Sequence, residues 1–159
     1  VHVLNGGLKK WKKENKITDN KKVIPKTSNY SCQEKIELVK NKKQIDENIY
    51  KNEFIVVDAR SRERFEGKVA EPRKGLRSGN IKNSFCLPFS ELINDDHTFI
   101  SKDKIIKKFK SLHFDLSKNL VFSCGSGVTA SVLALAYSLI NDKYQPCIYD
   151  GSWAEYGII

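Results

Sequence analysis

The sequence predicts an α/β fold with a mainly parallel sheet and helices on both faces. Three observations predict it. Phe54 to Val57 is an unbroken apolar, β-branched run of the kind buried in a parallel sheet. Leu120 to Phe122 is a second short apolar run. Ser131 to Ile140 then places Val132, Leu133, Leu135, Ala136 and Leu139 at helical spacing. Strands therefore alternate with helices along the chain. A length of 159 residues permits one domain of ordinary size with its own core.

Taken in order, Val1 to Leu4 reads as a short strand and Asn5-Gly6-Gly7 as a turn. Leu8 to Glu14 reads as a short helix carrying Trp11. Ile17 to Tyr30 is polar, contains Pro25, lacks periodicity and reads as a linker. Ser31 with Glu34 three residues on has the form of a capping box before Ile36, Leu38 and Val39, which predicts a helix there. The Phe54–Val57 strand ends at Asp58-Ala59-Arg60, where Asp58 is expected to cap the following turn. Ser61 to Phe65 reads as a helical turn. Glu66 to Gly79 is rich in glycine, proline and charge, and is too long for a plain connector. Ile81 to Leu87 contains the next strand, which Pro88 ends. Phe89 to Ile93 and Lys102 to Phe109 read as helical.

Net charge is +9, from 28 basic and 19 acidic residues. The lysine clusters are short, lie in different elements and lack interleaved aromatics, so they read as a solvated surface and predict no nucleic-acid site. No run of 18 apolar residues is present, so no membrane span is expected. Cys32, Cys86, Cys124 and Cys147 stand at unrelated spacings without a CxxC pair. They suggest neither a zinc site nor a disulfide framework, and they fit a reducing compartment. No signal peptide is visible and the first residue is not Met, so the chain is expected to be a fragment or a processed product.

Phe122-Ser123-Cys124-Gly125-Ser126-Gly127-Val128-Thr129-Ala130 is the stretch around which chemistry is expected. It reads as strand, tight loop and helix, with the cysteine at the strand end. A helix starting at about Val128 or Thr129 directs unpaired N–H groups and the positive end of its dipole toward the Cys124 sulfur. Such a site lowers a thiol's pKa and holds an attached anion. A buried structural cysteine explains a strand-end thiol equally well on chemistry alone. The sixth position after the cysteine is Ala130, so the loop lacks the arginine with which a cysteine-dependent phosphatase clamps its substrate. Backbone N–H donors without a cation suit a smaller, softer anion such as a persulfide.

The loop Cys124-Gly-Ser-Gly-Val-Thr-Ala130 resembles the active-site loop of the 3-mercaptopyruvate sulfurtransferases, the two-domain branch of the rhodanese family. Val57-Asp58-Ala59-Arg60, Arg64-Phe65-x-Gly67, Glu71-Pro72-Arg73, Gly75-Leu76-Arg77-Ser78-Gly79 and Tyr149-Asp150-Gly151-Ser152-Trp153-x-Glu155 match that family in order and spacing. The match runs from about Ser28 to the end of the chain. It implies a rhodanese-like catalytic domain over residues 31–159, preceded by a linker over 17–30. Residues 1–16 would then be the remnant of a preceding rhodanese domain. Their strand, Gly and Trp echo Ile148 to Trp153 about one domain away.

The resemblance implies that Cys124 accepts sulfur from 3-mercaptopyruvate as a persulfide, releases pyruvate, and passes the sulfur to a thiol or to cyanide. It makes Arg64 and Arg73 the substrate-binding arginines. Backbone groups of Gly125, Gly127, Val128 and Thr129 would cradle the sulfur, with Thr129 also expected as a helix cap. Ser126 would help to relay a proton. Arg60 and Arg77 are expected as structural ion-pair formers, and Trp153 as core. Neither a metal nor an organic cofactor is implied. The acceptor would be a small thiol or a thioredoxin-like protein, and the compartment cytoplasm or mitochondrion. Thiosulfate is the alternative donor, and a non-catalytic rhodanese module the alternative class. Two departures stand out. Asn80-Ile81-Lys82-Asn83 replaces His-Ile-Pro-Gly, which predicts loss of a rigid turn, and Tyr156 replaces a tryptophan.

Overall fold

The computed structural model describes residues 2–115 and 117–159. Its sheet contains β1 (Val39–Lys40), β2 (Phe54–Asp58), β3 (Phe85–Cys86), β4 (Asn119–Ser123) and β5 (Ile148–Tyr149). They lie in the order β1-β5-β4-β2-β3, and every pairing is parallel. β2 and β4 form the centre, with Val57 beside Phe122 and Asp58 beside Ser123. Both central strands are buried on both faces, which is why their sequences read as continuous apolar runs instead of alternating ones.

The helices are α1 (Gly7–Lys13), α2 (Lys42–Lys51), α3 (Arg62–Phe65), α4 (Lys102–Lys110), α5 (Ala130–Ser138) and α6 (Ser152–Tyr156). They cover both faces of the sheet. Ile105, Phe109 and Leu133 from α4 and α5 pack with Ile55, Val57, Leu120 and Phe122 on one side. Ile45 from α2 and Trp153 from α6 pack with Val56, Val121 and Tyr149 on the other. The expected α/β class, its parallel sheet and its two helical layers are therefore present.

Several local expectations are corrected. His2 to Leu4 form no strand, and Val1 lies outside the described residues. The segment around Ser31 and Glu34 has no regular structure. A short 3-10 turn at Ile36–Leu38 and β1 follow it, and the helix begins only at Lys42. The capping box belongs to Asn41 and Gln44: the Asn41 side chain accepts the Gln44 N–H at 3.0 Å, and the Gln44 side chain accepts the Asn41 N–H at 3.0 Å. The turn expected to be lost at Asn80–Asn83 is kept. Asn83 supplies the left-handed φ of +63°, which asparagine tolerates better than most residues. The Ser84 N–H closes the turn on the Ile81 carbonyl at 3.1 Å.

The N-terminal segment is docked on the domain. The Asn5 side chain accepts the Phe99 N–H at 2.9 Å, and Lys10 Nζ meets Asp96 Oδ2 at 2.7 Å. Residues 17–30 have no regular structure.

Candidate active site

Ser123, the last residue of β4, sits at the carboxyl edge of the sheet, where α/β proteins place their ligands. Cys124 follows it and is 1% exposed. The loop then turns sharply enough for the Ser126 N–H to approach the Cys124 Sγ at 3.4 Å. Gly127 makes this turn possible. Its φ is +81°, and a Cβ there would stand 2.8 Å from Asp150 Oδ1 and 3.0 Å from the Asp150 carbonyl. The Gly125, Val128 and Thr129 N–H groups have no partner among the described residues.

Arg64, Glu71, Pro72, Arg73 and Leu76 form the opposite wall of a cleft of about 250 Å³, whose near wall is Cys124, Gly125, Ser126, Val128 and Thr129. The structure thus brings together Cys124, both expected arginines and most of the expected loop. Gly127 is the exception. Its N–H is not offered to the cleft but donates to Ser152 Oγ at 3.1 Å. Thr129 lines the cleft at the N-cap position of α5, but its side chain makes no capping hydrogen bond. The first turn closes instead through Ser131 N–H to Val128 O and Val132 N–H to Thr129 O. Among the described residues Ser126 Oγ has no hydrogen-bond partner, and Ser126 lines the cleft together with Cys124.

Behind the cleft lies a chain of alternating charges. Asp58 accepts from Arg60 Nη2 at 2.8 Å, Arg60 Nη1 donates to Glu71 Oε1 at 2.7 Å, and Arg64 Nε donates to the same oxygen at 3.2 Å. Arg64 Nη2 donates to Glu71 Oε2. Asp58 also accepts the Arg60 backbone N–H at 2.9 Å, so the expected turn cap is present. The Arg60 guanidinium stacks 4.3 Å from the Trp153 ring centre. Among the described residues Arg77 forms no ion pair, contrary to expectation. It stacks on Trp153 at 4.6 Å and on Tyr156 at 5.4 Å.

Burial pushes the Glu71 carboxyl up, but Arg64 and Arg60 outweigh it, so the group is held below the usual carboxylate range. The Arg64 guanidinium is thereby fixed above the loop, and a side chain at Gly125 would meet its Nη2 at 3.1 Å. Arg73 is exposed, and no carboxylate among the described residues pairs with it.

The remaining cysteines are poorly placed for chemistry. Burial, reinforced by Asp58, pushes the Cys86 thiol up to about 12. Burial also raises Cys147, and Cys32 is exposed on the irregular segment. Among the described residues no group of His, Cys, Asp and Glu is arranged to hold a metal ion. Among the described residues no helix is long and apolar enough to cross a membrane.

A buried thiol after a central parallel strand, approached by a backbone N–H and sharing its cleft with two arginines, defines a class, and the chain belongs to the rhodanese family. Residues 41–158 match the family's rhodanese-like domain. Among individual proteins, the chain is 37% identical over 156 residues to the 3-mercaptopyruvate sulfurtransferase of Mus musculus, covering 98% of this chain and 52% of that protein. It is 35% identical over 157 residues to the thiosulfate sulfurtransferase of Bos taurus, with the same coverage. The chain therefore spans about half the length of the curated relatives it matches. Among solved structures, SseA from Escherichia coli, described as a 3-mercaptopyruvate sulfotransferase, superposes with a TM-score of 0.77 at 27% identity, covering 94% of this chain and 55% of that one. Tum1 from Saccharomyces cerevisiae superposes with a TM-score of 0.81 at 26% identity, covering 95% and 55%.

Sequence reasoning missed two contributors to this site. Glu71 was visible within Glu-Pro-Arg, but its double pairing was not. Ser152 was visible only as a letter of the Tyr-Asp-Gly-Ser-Trp match.

Proposed function

We propose that this chain is the C-terminal catalytic half of a tandem sulfurtransferase that moves sulfane sulfur from 3-mercaptopyruvate to a thiol through a persulfide on Cys124. The carrying observation is the meeting of Cys124, its inward-pointing Ser126 N–H, Arg64 and Arg73 in one small cleft. The similarity to relatives about twice as long supports the tandem arrangement, with residues 1–16 as the end of the preceding domain.

In this reading the Cys124 thiolate attacks the donor's thiol sulfur. The S–S bond forms as the donor's C–S bond breaks, and the electron pair leaves on carbon as the pyruvate enolate, which a proton then quenches. Ser126, which lines the cleft, would help to relay that proton. The persulfide is held by the loop's N–H donors, as oxyanion holes hold developing charge. An acceptor thiolate then takes the outer sulfur and returns Cys124 to the thiolate. The acceptor is a small thiol or a thioredoxin-like protein, in the cytoplasm or the mitochondrion. None of these steps calls for a cofactor.

The donor carboxylate falls to Arg73, whose guanidinium has no competing carboxylate, with Arg64 oriented beside it. Arg73→Ala is expected to raise KM for 3-mercaptopyruvate about 10- to 100-fold, the worth of a charge-assisted hydrogen bond, while thermal stability stays close to that of the unsubstituted protein. Steady-state kinetics with melting curves check this, and an unchanged KM would remove Arg73 from the site.

Thiosulfate is the second reading, supported by the similarity to thiosulfate sulfurtransferases. Gly125 and Ser126 bring no cation to match a dianion, so kcat/KM is expected to favour 3-mercaptopyruvate. A preference for thiosulfate would overturn the donor while leaving sulfur transfer in place.

A further inference from the structure

Ser152 is fully buried and holds a φ of +48°, a backbone state that a non-glycine residue keeps only when its surroundings impose it. Its hydroxyl explains why it stays there. Oγ–H donates to the Tyr149 carbonyl at 2.8 Å, while Oγ accepts the Cys124 N–H at 3.0 Å and the Gly127 N–H at 3.1 Å. A hydroxyl offers one donor and two lone pairs, so its capacity is fully used.

The two accepted N–H groups belong to the first and fourth residues of the active loop, so one atom fixes the span of that loop. Two more bonds from α6 hold the loop's carbonyls: Trp153 N–H to Cys124 O and Ala154 N–H to Gly125 O, both at 2.9 Å. With its ends pinned, the chain must curl at Gly125 and Ser126, and the curl brings the Ser126 N–H onto the sulfur.

We infer that Ser152 is a positioning residue for Cys124, its hydroxyl setting the loop curvature that delivers the Ser126 N–H to the Cys124 sulfur. The inference rests on the reading of Cys124 as the reacting nucleophile. A residue needed only for the bend would make the opposite prediction for glycine, which adopts this φ without strain.

The test compares Ser152→Gly and Ser152→Ala with the unsubstituted protein. The rate of Cys124 alkylation by iodoacetamide is resolved by peptide mass from that of Cys32, and thermal midpoints are recorded alongside. Both variants are expected to alkylate Cys124 about tenfold more slowly, the equivalent of one net hydrogen bond, with the glycine variant melting above the alanine variant. An unsubstituted rate in Ser152→Gly would overturn the inference. If neither variant folds, amide exchange in the unsubstituted protein decides. The Cys124 and Gly127 amides are expected to exchange about a hundredfold more slowly than those of Val128 and Thr129, and equal rates would overturn the inference. Alkylation needs no sulfur donor. Failure of the unsubstituted protein to take up sulfur would therefore count against the proposed function and leave the Ser152 result standing.

Discussion

Glu71→Ala is expected to destabilise the domain by about 3–5 kcal/mol, the usual cost of removing one partner from a buried ion pair. The Glu71 side chain is 2% exposed and is shared by Arg60, which is fully buried, and Arg64. Without it, the hydrogen-bond acceptors left to the Arg60 guanidinium among the described residues are Asp58 and the Gly79 carbonyl, and Arg64 loses the carboxylate that orients it. Denaturant unfolding measures the effect, and a loss below about 1 kcal/mol, the range of surface pairs, would show that the network is decorative. The same group gives the stability a pH dependence. Its folded pKa lies below its ordinary value of 4.5, so the carboxylate's contribution is complete above that value. The contribution is lost as pH falls through the lower folded value, and the acid limb is expected to flatten in Glu71→Ala.

Gly127→Ala is expected to slow sulfur loading of Cys124 by about two orders of magnitude, the scale on which a misplacement near 1 Å acts. The methyl group would sit at a φ of +81° and press on both the side chain and the carbonyl of Asp150. Relieving that contact moves Gly127 away from Asp150 and strains its N–H bond to Ser152 Oγ, which helps to hold the loop beneath the Cys124 sulfur. Single-turnover loading kinetics would read the change. A rate within twofold of the unsubstituted protein would mean that the loop geometry described above does not control the chemistry.

Glu71 and Ser152 mark where sequence reading stops. The central strands were legible because burial on both faces leaves unbroken apolar runs, and Cys124, Arg64 and Arg73 were legible as letters of a spaced motif. The helix expected after Ser31 was misplaced because Ser31 and Glu34 imitate a capping box. The true helix, Lys42–Lys51, is mostly polar and buries Ile45, so it offers few apolar positions to read. Charge is visible in sequence and the face of Trp153 is not, so the sequence suggests an ion pair for Arg77 where the structure has stacking. The roles of Glu71 and Ser152 depend on contacts that span loops and bring α6 against the end of β4. No local pattern encodes such contacts.

The most direct test of the central claim is the intact mass of the protein after incubation with 3-mercaptopyruvate, compared with Cys124→Ser. The predicted result is a gain of one sulfur atom that dithiothreitol removes and that the serine variant never shows. A gain that persists in Cys124→Ser, or no gain in the unsubstituted protein from either 3-mercaptopyruvate or thiosulfate, would contradict sulfur transfer through Cys124.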